Sequence, residues 1–311
     1  MSERKMGTEL CRIEESADAM GSTFSIVLYG HDRSRTEEAV RSAFDEIGRI
    51  EGMLSAYRPG SELSEVNRLA GRQAVKVSSE FFRLLTACLE NSRQTEGAFD
   101  ITVGPLLKAW GFFRDKGRLP EEEALAAALA SVGYRHVRLD PRAQTVQFDN
   151  AGVEINAGGI GKGYAVDRAV EILKASGFDT TLVAGAGSSI FGLGAPPSEP
   201  KGWRIDIPDP KNPRRPAGTV FLRDMSISTS GNYEKSFWAG GRIYSHIIDP
   251  RTGIPAAGVA LVSVVSPRAL DSEAWTKPCF ILGREWAARH RPHGYRVFVC
   301  EDQPGGECGW L

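Results

Sequence analysis

The order of helical and strand patterns along the chain is the sequence feature that most constrains its fold. Apolar residues at helical spacing predict helices over residues 35–54, 79–93, 121–133 and 163–176, and over 272–290 with a kink at Pro278. Runs rich in β-branched and aromatic residues predict strands, among them residues 22–29, 145–148, 152–155, 203–207 and 260–265. Because helices and strands do not alternate one for one, the pattern favours an α+β fold over a doubly wound parallel sheet.

The charge balance excludes several classes of function. The 311 residues include 38 basic and 39 acidic side chains, which gives a formal net charge of −1. A balanced chain has no general electrostatic attraction for nucleic acid or for an anionic membrane. The P-loop, the HExxH helix and the GxSxG turn are missing, which disfavours a P-loop NTPase, a zincin and an α/β-hydrolase. Any phosphate chemistry must therefore come from a local site.

The N-terminus and the cysteines bear on location. Residues 1–19 are polar and acidic, with neither the apolar core nor the cleavage site of a signal peptide, and we expect a poorly ordered tail there. No apolar stretch approaches the roughly 18 residues that span a bilayer. The five cysteines are scattered and form no CxxC pair, so we expect reduced thiols rather than a disulfide framework. These features predict a cytoplasmic protein, or a periplasmic one if a leader is removed from the chain.

The most informative motif is NAGGIGKGYAVD, residues 156–167. Glycines let a backbone approach a ligand closely, and N–H groups at the start of a helix favour negative charge. The ammonium group of Lys162 would add a point charge for a phosphate. The alternative is a tight turn between a strand and a helix, with Lys162 at the surface.

A second motif surrounds His246, which lies within an apolar strand pattern and precedes the turn at Asp249. A histidine whose pKa lies near neutrality can act as a general base. The alternative is a structural histidine whose ring binds a backbone carbonyl. Asp249 can either contact a ligand or simply initiate the turn. In the third motif, residues 97–113, aromatic side chains can stack on a ligand or pack in the core, and Asp100 can bind a ligand or cap a helix.

Six segments in this order resemble the FAD:protein FMN transferase family, often called ApbE. They are MGSTFSI (20–26), SAYRPGSELSEVN (55–67), GAFDITVGPLLKAWGF (97–112), NAGGIGKGYAVD (156–167), TSGNYE (229–234) and SHIIDPRTG (245–253). Six segments in one order, over most of the chain from residue 20 to about 283, form a specific signal.

The resemblance implies a T-fold-like α+β architecture. Residues 20–311 would form a single domain of two intertwined lobes, with mixed and antiparallel sheets, flanking helices and a flavin cleft between the lobes. It also implies an enzyme that cleaves FAD and attaches FMN through a phosphoester to a threonine or serine of a target flavoprotein. AMP would be the other product, and Mg²⁺ the required cation.

The resemblance assigns roles to individual residues. His246 would accept the proton of the incoming hydroxyl, and Lys162 would hold the pyrophosphate. The residues assigned to FAD binding are spread along the chain: Met20, Tyr57, Asp100, Gly158, Gly159, Gly161, Lys162, Ser228, Thr229 and Asp249.

The cation site is where the chain departs from the family pattern. Family members carry an aspartate and, four residues later, a threonine, and alignment on residues 280–283 places Glu273 and Lys277 there. A shift of one residue offers Asp271 and Thr276 instead. The predicted cation ligands are therefore Gly159, Asp271, Glu273 and Thr276.

Three functions stay open at this point. The chain is an FMN transferase, an FAD pyrophosphatase in which water replaces the hydroxyl, or a non-catalytic FAD-binding protein with a degenerate metal site. A lysine ammonium brings a positive charge and no acceptor, so Lys277 in place of the ion favours the third function.

Overall fold

The computed structural model describes residues 10–113, 116–232, 235–303 and 305–311. Helices and strands follow one another irregularly along this part of the chain. In chain order they are β1 (Cys11–Ala19), β2 (Ser22–Gly30), α1 (Arg33–Leu54), α2 (Glu62–Leu69), β3 (Val75–Lys76), α3 (Ser79–Gln94), α4 (Gly104–Ala109), α5 (Glu122–Leu129), β4 (Val137–Asp140), β5 (Thr145–Phe148), α6 (Gly161–Ala175), β6 (Thr181–Gly185), β7 (Ser189–Leu193), β8 (Trp203–Asp209), β9 (Asn212–Leu222), β10 (Met225–Gly231), β11 (Ser236–Ala239), β12 (Arg242–Ser245), β13 (Val259–Ser266), α7 (Ala269–His290), β14 (Arg296–Glu301) and β15 (Cys308–Trp310).

An eight-stranded sheet in the order β1-β2-β6-β7-β10-β13-β14-β15 forms the centre of the molecule. In the part of the chain that the structure describes, three smaller sheets accompany it, with the orders β3-β5-β4, β8-β9 and β11-β12. Neighbouring strands in all four sheets run antiparallel. Antiparallel sheets combined with separate helices are typical of an α+β fold, so the predicted class is confirmed.

Strand β13 of the central sheet is covered by other elements on both of its faces. All eight of its residues, VALVSVVS, are buried. Since successive side chains of a strand point to opposite faces, Leu261 and Val265 pack against the β8–β9 ribbon, while Val262 and Val264 pack against α7. A strand buried on both faces has the continuous apolar sequence seen here.

Helices α1 and α6 build the largest apolar cluster with β2 and β6. Helix α1 buries Ala39, Val40, Ala43, Ile47 and Ile50, a spacing that keeps one face towards the core. The helix begins where the side chain of Asp32 accepts a hydrogen bond from the N–H of Arg35.

The structure differs from the sequence analysis at the N-terminus and in α7. Residues 11–19 are not a loose tail, because β1 pairs with β2 along its whole length, whereas residues 1–9 lie outside the described part. The helical geometry of α7 breaks at Gly283, where φ is 78°, rather than at Pro278. Residues 152–155 form no strand, and only Glu154 makes an isolated bridge, to Val103.

The expectation of reduced cysteines was wrong for one pair. Cys300 and Cys308 lie directly opposite each other in the β14–β15 hairpin and form a disulfide. Their separation of eight residues is not a CxxC pattern, so only the pairing register of the two strands brings the sulfurs together. The cysteine pattern therefore no longer supports a reducing compartment. In the described residues, no helix has the length and apolar character needed to cross a membrane.

Candidate functional site

A cavity of about 250 Å³ lies where the motifs of the sequence analysis meet. Its walls come from residues 98–113, the glycine turn before α6, the end of β10, the segment after β12 and one face of α7. Lys162 and His246, 84 positions apart in the chain, both line it. Tyr57 lies at its rim with 57% of its surface exposed, and its hydroxyl donates to the carbonyl oxygen of Phe113 at 2.7 Å.

The glycine turn directs Lys162 into the cavity. The side-chain oxygen of Asn156 accepts a hydrogen bond from the N–H of Gly158 at 2.8 Å, which closes the turn. Helix α6 then begins at Gly161, so that Lys162 lies in its first turn. A Cβ atom on Gly159 would lie 3.4 Å from Cε of Lys277 and 3.9 Å from the ring of Phe99. Gly158, Gly159 and Lys162 all line the cavity, whereas Gly161 packs beside Leu54.

At the junction between α6 and α7, Gly163 makes a close contact that the sequence analysis missed. The N–H of Gly163 donates to the buried carboxylate of Glu273 at 2.6 Å. A Cβ atom on Gly163 would lie only 2.2 Å from the carbonyl oxygen of Ala269, so only glycine lets the two helices approach this closely. The fourth glycine of the motif, at the end of GGIGKG, was the available signal.

Asp167 fixes the start of α7. Its carboxylate accepts hydrogen bonds from the N–H groups of Ala269 and Leu270 at 2.7 and 2.9 Å. These N–H groups belong to the first turn of α7, where backbone N–H groups have no hydrogen-bond acceptor within the helix. Burial raises the pKa of Asp167 to about 7, while the two N–H donors act in the opposite direction.

His246 presents a neutral ring to the cavity. Its Nδ1 atom lies 3.1 Å from the carbonyl oxygen of Lys235, which can only accept a hydrogen bond, so Nδ1 carries the proton and Nε2 has a free lone pair. Burial is the main cause that lowers the pKa of His246, and the positive charges of Lys277, Lys235 and Lys162 act in the same direction. The hydrogen bond to the Lys235 carbonyl opposes them, and the resulting pKa is about 4. At neutral pH the ring can accept a proton.

Besides Gly161, three residues predicted to bind FAD do not line the cavity. Met20 lies in the tight β1–β2 turn with φ of 53° and packs on the core. Ser228 is buried, and its hydroxyl hydrogen-bonds those of Ser189 and Ser272. Asp249 holds the side chain of Arg251 at 2.7 and 2.9 Å, so it organises a turn.

Two further predicted residues line the cavity but make internal bonds. Asp100 is buried, and its carboxylate accepts hydrogen bonds from the N–H and hydroxyl of Thr102 and the N–H of Tyr134. Burial raises the pKa of Asp100, against these donors. The hydroxyl of Thr229 lies 2.7 Å from that of Ser263. FAD contacts by Asp100 and Thr229 stay predictions. The last two residues of the segment 229–234 lie outside the described part.

The predicted Mg²⁺ ligands do not come together. Asp271 lies away from the cavity and pairs with Arg268 at 2.7 and 2.8 Å. Thr276 donates to the carbonyl oxygen of Glu273 within α7 and accepts from Ser230. The remaining predicted ligands are Gly159 and Glu273, and Lys277 lies beside them.

Mg²⁺ requires an octahedron of oxygen ligands at about 2.0–2.1 Å. Within the described ranges, no group of three histidine, cysteine, aspartate or glutamate side chains could hold a metal ion. The side chains present do not fit the cation, because one carboxylate stands beside an ammonium group.

Comparison with known proteins gives consistent matches. The model of the ApbE family matches residues 20–298. A protein of Treponema pallidum named FAD:protein FMN transferase is 35% identical over 261 residues, which cover 79% of this chain and 72% of the relative. A protein of Klebsiella pneumoniae with the same name is 31% identical over 293 residues, which cover 93% and 89%.

Solved structures match the fold over nearly its full length. The ApbE protein of Thermotoga maritima has a TM-score of 0.87 at 28% identity and covers 96% of each chain. The flavin transferase ApbE of Vibrio cholerae has a TM-score of 0.84 at 26% identity and covers 97% of each chain. The antiparallel sheets and flanking helices expected from the resemblance therefore match ApbE structures.

Proposed function

The chain belongs to the ApbE family, and on that premise we propose that it is an FAD:protein FMN transferase, which moves FMN from FAD to a hydroxyl of a target flavoprotein. One observation carries the proposal beyond the names of the relatives. Lys162, which suits a phosphate, and His246, which suits a hydroxyl proton, line the same cavity. A transferase needs both groups within reach of one phosphorus atom.

The lysines and the aromatic side chains would bind the two parts of FAD. Phosphoryl transfer depends mainly on positioning and on stabilising negative charge. Lys162, in the first turn of α6, supplies positive charge for the pyrophosphate. Phe99, Phe112 and Tyr57 line the same cavity and offer flat apolar surfaces for a ring system.

His246 would act as the general base. The acceptor hydroxyl would form a new P–O bond to the FMN phosphorus, while the bond from this phosphorus to the bridging oxygen breaks. The hydroxyl proton passes to Nε2 of His246, and AMP leaves with the bridging oxygen. Because the Lys235 carbonyl holds the proton on Nδ1, Nε2 is the nitrogen able to accept it. No step is assigned to Mg²⁺, since the donor set does not fit it.

Incubation with FAD and a library of peptides, each carrying one threonine or serine, tests the proposal. Transfer adds the mass of FMN less one water to a peptide and releases AMP. Release of free FMN and AMP would instead indicate a pyrophosphatase, and intact bound FAD a carrier. We expect transfer, and we expect His246→Gln to lower its rate by about 10²–10⁴-fold. The exposed His293 gives the matched control, because His293→Gln should keep the wild-type rate.

A further inference from the structure

Three lysines from separate parts of the chain line the cavity. Lys162 comes from the start of α6, Lys235 from the segment before β11, and Lys277 from α7. Among the described residues, the two carboxylates that line the cavity are those of Asp100 and Glu273. Both are buried and accept hydrogen bonds from backbone N–H groups. The cavity therefore combines three positive charges with acidic groups already bound to the backbone, which suits a polyanionic ligand.

The three lysines share this cavity with His246. Their positive charges also contribute to the lowered pKa of the imidazole. The charges that would bind the pyrophosphate therefore line the same cavity as the group that would take the hydroxyl proton.

The position of Lys277 is fixed by α7. Its Nζ donates to the carbonyl oxygen of Glu273, one helical turn earlier, at 2.9 Å. Its Cε lies 3.4 Å from where a Cβ atom of Gly159 would be, and it lines the cavity next to the glycine turn. A divalent cation placed beside Gly159 and Glu273 would meet this ammonium and be repelled by it.

We infer that Lys162, Lys235 and Lys277 together neutralise the pyrophosphate, so that transfer proceeds without a divalent cation. The inference rests on the proposed function and assigns the electrostatic part of that reaction to these side chains. As the bond between the FMN phosphorus and the bridging oxygen breaks, negative charge grows on the phosphate of the departing AMP. The three ammonium groups stabilise this charge, and no further reactant is needed, since the acceptor hydroxyl supplies the proton that His246 takes.

The first test needs no variant. Protein dialysed against EDTA is assayed with FAD and the peptide library, in EDTA and with added Mg²⁺. We expect the same transfer rate in both solutions. Loss of transfer in EDTA with recovery in Mg²⁺ would overturn the inference while leaving the proposed function intact.

Substitution then identifies the responsible lysine. Lys277→Met should lower the rate of transfer in EDTA by about 100-fold, as loss of one stabilising group at a developing charge does. Lys277→Arg, which keeps the charge, should recover part of this rate. Lys76 is exposed on β3, and Lys76→Met is the matched control that should retain the full rate. Equal rates for Lys277→Met and Lys76→Met would contradict the inference.

Titration with ADP tests the role of the three lysines separately from the proposed transferase function, because ADP carries a pyrophosphate but no flavin. We expect ADP to bind equally well in EDTA and in Mg²⁺, and Lys277→Met to weaken binding in both. If no peptide is modified under any condition, the proposed function fails, whereas the ADP titration still decides the role of the lysines. Binding of ADP only in the presence of Mg²⁺ would refute that role.

Discussion

Helix α7 carries two neighbouring stripes of polar residues that have different roles. Ser272 and Thr276 form the hydroxyl stripe, which faces β10, where their hydroxyls hydrogen-bond Ser228 and Ser230. Glu273 and Lys277 form the charged stripe, which faces α6 and the cavity. Each stripe is a pair four residues apart, and the two stripes are offset by one residue, about 100° around the helix.

The two stripes of α7 show that neighbouring residues of a helix can have a structural role in one case and face the cavity in the other. The hydroxyl stripe is buried, neutral and satisfied within the protein. The charged stripe places a carboxylate on a backbone N–H of α6 and an ammonium in the cavity. The predicted ligand Thr276 lies on the hydroxyl stripe, which explains why it does not join Glu273 around a cation. We expect substitutions in the hydroxyl stripe to affect stability and those in the charged stripe to affect transfer.

The largest effect on stability should come from Gly163→Ala, which separates the charged stripe from α6. The added Cβ atom would lie 2.2 Å from the carbonyl oxygen of Ala269, so α7 must shift. We expect a loss of about 3 kcal/mol in the free energy of unfolding, together with a loss of transfer. Urea denaturation measures it. Gly48 in α1 has no atom within 4 Å of an added Cβ, so Gly48→Ala should instead stabilise the protein by about 0.5–1 kcal/mol. Equal effects at the two glycines would show that the α6–α7 contact is not tight.

Asp167→Ala tests whether the start of α7 positions both stripes. The N–H groups of Ala269 and Leu270 would lose their acceptor, and we expect a cost of about 2 kcal/mol with a reduced rate of transfer. Asp32, which caps α1 and does not line the cavity, provides the control. Asp32→Ala should cost about 1 kcal/mol and leave transfer unchanged. Thermal unfolding and the peptide assay distinguish the two variants. An unaltered rate of transfer for Asp167→Ala would show that the start of α7 does not position the site.

Ser272→Ala should affect stability alone. It removes the hydroxyl that hydrogen-bonds Ser226 and Ser228, each of which keeps another partner. We therefore expect a cost of about 1 kcal/mol, measured by urea denaturation, with the transfer rate of the wild type. A large loss of transfer without a loss of stability would contradict the division between the two stripes.

The pH dependence of unfolding should reveal the charges around His246. Its pKa is about 4 in the folded protein and about 6.5 in the unfolded chain, so the unfolded chain binds more protons between these values. The His246 contribution should therefore lower stability as the pH falls from 6.5 to 4. His246→Gln should flatten the curve of stability against pH in this window. Lys277→Met should raise the lower limit of the window, because removal of a positive charge raises the pKa of His246 in the folded protein. If the curve for Lys277→Met coincides with that of the wild type, Lys277 lies too far from His246 to affect its pKa.

Local pattern predicted much of the fold. The apolar stripe of α1 and the strand β2 appear where they were expected, because each depends on residues close together in sequence. Short elements without a strong pattern were not predicted, among them α2, β7 and β15. The polar strand β1 was interpreted as a tail, since it is the pairing with β2, rather than apolar periodicity, that makes it a strand.

The candidate site divides in the same way. Sequence identified the segments that meet at the cavity, including the glycine turn and His246, because special backbone conformations and unusual chemistry leave local signs. It could not tell Thr229, which lines the cavity, from its neighbour Ser228, which is buried behind it.

By itself, the sequence determined the fold class, most long elements and the family, since these depend on patterns repeated within short stretches of chain. The tertiary structure decided which polar residues face the cavity, that Lys277 rather than Thr276 lies beside Gly159, and that Cys300 meets Cys308. The bond from Gly163 to Glu273 joins residues 110 positions apart. Contacts of this kind arise only when whole elements pack together, because no local pattern records which distant residue will be opposite.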